Sequence, residues 1–125
     1  MNVQRGDVVI VDFVFTDGSG TKNRPAVVVQ ADYENRRVNT TIVAMVTTRI
    51  HRAALEPTQV YIDIATPEGR QTGLNANSVV NAINLVTIAT SRIHRKIGDM
   101  PAPLMAQVGN ALHFPMCIRL YLSIQ

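Results

Sequence analysis

Lys22-Asn23-Arg24-Pro25 runs directly into Ala26-Val27-Val28-Val29-Gln30. A polar stretch precedes it, Thr16-Asp17-Gly18-Ser19-Gly20-Thr21. The apolar, β-branched run that opens at Pro25 has the composition of a buried-type strand over Pro25 to Ala31. Proline holds φ near about −65° and biases the residue before it toward an extended backbone. Arg24 is therefore expected at the mouth of a rigid strand, with a loop on its other side. A guanidinium held there presents a planar donor fork that suits a phosphate. The same tetrapeptide also fits an ordinary surface arginine at the start of a strand.

Further strands follow outward from this one. Asp7 to Phe13 is a β-branched run between Gly6 and the Gly/Ser/Asp loop, and Thr41 to Thr47 is another. Thr58 to Ile64 alternates polar and apolar residues, as a half-buried strand does, and Ser78 to Ile83 reads as a fifth strand. Ala31 to Arg37, Glu56-Pro57 and Pro67 to Gly73 carry turn and loop composition. Several short strands without helical crossovers predict a mainly β fold built on a small antiparallel, barrel-like sheet. The tail differs. Leu104, Val108 and Leu112 recur at helical spacing, with Met105 and Ala111 beside the stripe. This predicts an amphipathic C-terminal helix that starts near Asp99 or Pro101 and ends or kinks at Pro115. The chain reads as one domain, strand-rich over 6–98, with a helix and tail over 101–125.

Composition bounds the function. The chain has 125 residues, 46% of them apolar, and contains no apolar run long enough for a membrane span. The N-terminus, Met1 to Asp7, lacks the layout of a secretory signal, and the single Cys117 makes no internal disulfide. A cytoplasmic protein is expected. Cys117 lies among Met116, Ile118 and Leu120 and reads as a small core residue. The formal charge of +3 tilts partners toward polyanions, and Arg36-Arg37, Arg49, Arg52, Arg92, Arg95 and Lys96 group near turns. With no tryptophan and few aromatics, a stacking platform of the RNP type is not expected.

Few residues offer chemistry. His51, His94 and His113 are far apart, and no histidine or cysteine pair has metal-ligand spacing, so no metal or other cofactor is expected. A glycine-rich phosphate loop and a serine nucleophile elbow are both lacking. The end of the third strand remains: Val46-Thr47-Thr48-Arg49-Ile50-His51-Arg52. If that strand runs on, Thr47, Arg49 and His51 project from one face. A hydroxyl, a guanidinium and an imidazole are the groups that hold, neutralise and protonate a phosphodiester in scission. A solvated basic turn explains the same residues.

The order of the pieces adds to this. Arg5-Gly6-Asp7-Val8-Val9 is followed by Arg24-Pro25-Ala26-Val27-Val28-Val29 and Val43-Ala44-Met45-Val46-Thr47-Thr48. Then come Pro57-Thr58-Gln59-Val60, Asn77-Ser78-Val79-Val80, Thr87-Ile88 and Ile97-Gly98. From about Gly6 to Leu112 this order and spacing resembles the MazF/PemK (Kid) family of toxin endoribonucleases. The resemblance implies a small antiparallel, SH3-like barrel with a C-terminal helix, a homodimer, and metal-independent cleavage of single-stranded RNA. It also implies neutralisation by a cognate antitoxin. The family's two recurrent active-site positions fall on Arg24 and Thr47, and its covering loop falls on Phe15 to Asn23. Asp17, Lys22, Asn23, Thr48, Arg49, His51 and Arg52 complete the expected RNA-contacting set. The family's acid and arginine after the fifth strand fall on Ile83 and Val86, with Asn81 and Asn84 the nearby polar groups. The general base is accordingly unassigned, with Asp17 and His51 as candidates. CcdB-type gyrase poisons share the barrel and cleave nothing. That alternative predicts a C-terminal recognition tail with tryptophan, which this chain lacks.

Overall fold

The valine-rich runs pair into one antiparallel sheet. The computed structural model describes residues 2–14, 20–50 and 56–116. Its strands are β1 (Asp7–Val14), β2 (Thr21–Val28), β3 (Thr40–Thr47), β4 (Gln59–Ile62), β5 (Ser78–Ala89) and β6 (Ile93–Asp99). They lie in the order β4-β5-β3-β2-β1-β6. The sheet curls as a barrel does but is not closed, with β4 and β6 at its edges. Helix α3 (Ala102–Met116) packs on β4 and β5.

Side chains alternate between two buried faces. On the first, Val8, Val27, Ala44, Val46, Val60, Ile62 and Val80 meet Leu104, Val108 and Ala111 of α3. On the second, Val9, Val11, Ala26, Val28, Val43 and Met45 gather with Ile88, Ile93 and Val3. Burial on both sides explains why β1 to β3 read as near-continuous apolar runs rather than as alternating ones.

The structure departs from the sequence expectations at several points. Strand β2 begins at Thr21, not Pro25, because Thr21 to Asn23 pair with Val14 to Asp12 of β1. Arg24 thus lies inside a strand, opposite Val11. The ladder from β2 to β3 starts only at Ala26, one residue beyond the proline that has no N–H to donate. Strand β5 runs on to Ala89 through an irregularity. Its register with β3 jumps from Met45↔Asn81 to Ala44↔Leu85, which leaves Ala82, Ile83 and Asn84 between the paired residues. Two of the three stretches read as turns are short helices, α1 (Asp32–Arg37) and α2 (Pro67–Gln71), whereas Glu56-Pro57 does open a turn. In α2 the Thr66 hydroxyl caps the helix by accepting from the Gly69 amide at 3.0 Å. Helix α3 starts after Pro101, whose carbonyl accepts from the Met105 amide at 2.9 Å. It runs through Pro115 to Met116, the last of the described residues.

Candidate active site

Strand parity assigns the faces. Arg24 shares its face with Ala26 and Val28, and Thr47 shares its face with Val43 and Met45; all four of those apolar residues belong to the second cluster. Strand β2 pairs Ala26 with Met45. The β2–β3 pairing ends at Ala26 and Met45; the same register carried two residues further would set Arg24 opposite Thr47. Both side chains are partly buried, at the end of the sheet where the second cluster gives out.

Strand β3 stops at Thr47, and Thr48 is a bend. The expected continuation that would align Arg49 and His51 with Thr47 by pleating is therefore absent. A local turn replaces it: the Arg49 amide donates to the Thr47 hydroxyl oxygen at 3.2 Å. With that oxygen accepting, the Thr47 O–H is directed to a further acceptor. Among the described residues, the ion pairs are Arg37–Glu34, Lys96–Asp7 and Lys96–Asp99. Arg24, Lys22 and Arg49 are not tied to a carboxylate in any of them. Lys96 is spoken for: Asp99 and Asp7, at 2.8 and 3.2 Å, raise its pKa by hydrogen bonding.

The remaining expected site residues divide. Lys22 is exposed on the same face as Arg24. Asn23 has the opposite parity. Thr48 lines a groove on the reverse face with Ile10, Pro25, Leu74, Ser78 and Arg95, of about 450 Å³. Arg49 is exposed beyond the strand end. Asp17, His51 and Arg52 lie outside the described residues. Ile83 is 61% exposed in the β5 irregularity, and Val86 pairs with Val43 and packs against the second cluster. Neither supplies an acid or a guanidinium. Arg95, noted in the sequence only as one of the basic residues grouped near turns, lies on β6 and lines the reverse groove.

The family model for the PemK-like, MazF-like toxins of type II toxin–antitoxin systems matches residues 4–114. The chain belongs to this family. Endoribonuclease EndoA of Bacillus subtilis is 34% identical over 119 residues, which cover 94% of this chain and 97% of that protein. Endoribonuclease MazF6 of Mycobacterium tuberculosis is 32% identical over 90% of this chain and 95% of its own length. Among solved structures, a Mycobacterial endoribonuclease in complex with its cognate antitoxin superposes with a TM-score of 0.72. It is 22% identical, covering 93% of this chain and 96% of that one. A MazE–MazF complex from Deinococcus radiodurans gives 0.72 at 20% identity, over 94% and 98% of the two chains. These likenesses place the curled six-stranded sheet and C-terminal helix in the MazF fold.

Proposed function

We propose that this chain is the toxin of a toxin–antitoxin pair and cleaves single-stranded RNA without a metal, in the cytoplasm. The observation that carries the reading is the pair Arg24 and Thr47, set on one face of neighbouring strands within a family whose curated relatives are endoribonucleases. Scission by the ribose 2′-OH asks little more than such a pair. The 2′-oxygen attacks the adjacent phosphorus in line, and its proton passes to a base. The bond from phosphorus to the 5′-oxygen breaks, and that oxygen takes up a proton. The products are a 2′,3′-cyclic phosphate and a 5′-hydroxyl.

Charge gathers on the nonbridging oxygens of the phosphorane between these steps. Donors fixed before the reaction stabilise it best, since they need no reorganisation at the moment of charge build-up. Arg24 supplies a permanent charge and a planar fork; its pKa is too high for easy acid work, so its role is stabilisation. Thr47 donates to a nonbridging oxygen and fixes the phosphate. Asp17 and His51 remain the candidates for the base. The acid–arginine contribution that some relatives draw from the fifth strand is missing here, with Ile83 and Val86 in those places.

The relatives solved with their antitoxins support a matching partner for this chain, and a homodimer accompanies that reading. Purified protein incubated with a long RNA in EDTA tests the function. Discrete products that persist in chelator and carry 5′-hydroxyl ends are expected. Intact RNA together with inhibition of DNA gyrase overturns the proposal in favour of a non-catalytic toxin of this fold.

A further inference from the structure

The register of five strands aligns more than the two residues assigned so far. Val11 pairs with Arg24, Thr47 pairs with Val79, and Val79 pairs with Tyr61; the β2–β3 register, extended two residues past Ala26 and Met45, joins Arg24 to Thr47. Residues directly opposite in antiparallel strands project from the same face. Arg24, Thr47, Val79 and Tyr61 therefore form one row across β2, β3, β5 and β4. Tyr61 ends the row on an edge strand and is 41% exposed, while its neighbours Val60 and Ile62 are buried at 3% and 0%. The next row on that face holds Asn81 opposite Gln59. The Asn81 side-chain oxygen accepts from the Ile83 amide at 3.2 Å, which orients its NH₂ group as the donor end.

We propose that Tyr61 is the stacking platform for the nucleobase beside the scissile phosphate, with the Asn81 and Gln59 amides at the edge of that base. The inference rests on the assignment of Arg24 and Thr47 as the phosphate site. Two strand spacings separate Thr47 from Tyr61, about 10 Å, which suits the reach from a phosphate to a neighbouring base. The residue between them, Val79, is fully buried, so the RNA chain from phosphate to base passes over the atoms that cover Val79 and not across Val79 itself. An aromatic ring accepts any base through its π-face, and amides that both donate and accept discriminate among base edges. Specificity in this chain then comes partly from β4 and β5.

The test uses the full-length chain and an oligoribonucleotide that it cleaves, made uncleavable by a 2′-deoxy sugar at the scissile position. 2-Aminopurine is placed in turn at the two flanking nucleotides. Wild type and Tyr61→Phe are expected to quench the probe at one of these positions. Tyr61→Val keeps strand propensity but has no ring. It is expected to lose that quenching and to bind about five- to hundredfold more weakly, the range found for loss of one stacked base. Melting temperatures of both variants establish that the sheet is intact. Equal quenching and affinity in Tyr61→Val, with cleavage by the wild type unimpaired, overturns the platform alone. Dissociation of a dimer in Tyr61→Val, with quenching unchanged per bound protomer, reassigns Tyr61 to a contact between copies. Arg24→Ala that binds the oligonucleotide as well as the wild type does, and cleaves its 2′-hydroxyl form as fast, overturns the phosphate site itself.

Discussion

Arg24 and Thr47 differ in what their environments ask of them. Arg24 is partly buried within β2, and Pro25 fixes the backbone on its C-terminal side. Arg24→Ala is expected to slow cleavage about a hundred- to a thousandfold, the usual loss for one transition-state donor, without lowering the melting temperature appreciably. Arg24→Lys recovers little, because a point charge does not reproduce the planar fork. Steady-state cleavage of a fluorogenic oligonucleotide measures both; near-wild-type rates in folded Arg24→Ala would remove the assignment. Thr47 is expected to act through its hydroxyl. Thr47→Ser keeps that group and should retain most of the activity, whereas Thr47→Val loses the O–H donor and the acceptor for the Arg49 amide. Thr48→Val is expected to be mild, since Thr48 lines the reverse groove. A more damaging Thr48→Val than Thr47→Val would place the phosphate on the other face.

The short elements hold the sheet through specific polar contacts. At the first turn of α1, the Asp32 carboxylate accepts from the Arg5 amide at 2.6 Å and from Asn35 at 3.2 Å. These bonds, the Arg5 amide foremost, hold its pKa below the ordinary value. The sign follows from linkage. A depressed carboxyl contributes stability above its unfolded-state pKa, and that contribution is lost as pH falls through the folded-state value. Asp32→Asn is thus expected to lower the melting temperature at neutral pH, with the gap to wild type closing as pH falls through the depressed folded-state value. Calorimetry across the acid limb checks this, and a gap independent of pH would refute it. Gly98 and Gly73 seat α2 against β6. A Cβ at Gly98 would run into the Gln71 and Thr72 carbonyls, and one at Gly73, where φ is +73°, into the Ile97 backbone. Gly98→Ala is expected to cost about 1–3 kcal/mol by forcing these segments apart, read from the midpoint of urea unfolding.

At the scale of the whole molecule, the exposed cations Lys22 and Arg49 stand beside the row of Arg24 and Thr47, so binding of uncleaved RNA is expected to weaken steeply with salt. Replacing either with alanine should reduce the slope of log K against log salt by about 0.7 for a single strand. An unchanged slope in the double variant would move the RNA path toward another basic group, Arg36-Arg37 first. An antitoxin segment that competes with RNA must satisfy the same cations and is expected to be acidic. Arg24→Ala or Arg49→Ala would then weaken RNA and antitoxin together, by titration of each into labelled toxin. An antitoxin complex that still binds RNA with undiminished affinity would refute a shared site.

Much of the architecture was legible in the chain itself. Runs such as Val8 to Val11 and Val27 to Val29 specify strands because β-branched residues suit a pleated, buried surface, and the Leu104, Val108, Leu112 stripe specifies a helix by period alone. Arg24 and Thr47 were legible as residue types at strand boundaries. Strand β6 was not, because its sequence, Ile-His-Arg-Lys-Ile-Gly-Asp, has no alternation and is held extended by pairing with β1. Nor were α1 and α2, whose loop-like composition becomes helical only with local caps and tertiary contacts. Which side chains share a face with Arg24 was decided by the tertiary structure alone. Strand order and register arise from pairings between residues far apart in sequence, and a slip of one residue would send each side chain to the other face. Local pattern therefore determined that there are strands and which residues bear chemistry. Long-range hydrogen bonding and burial on both sides of the sheet determined that Arg24, Thr47 and Tyr61 lie in one row.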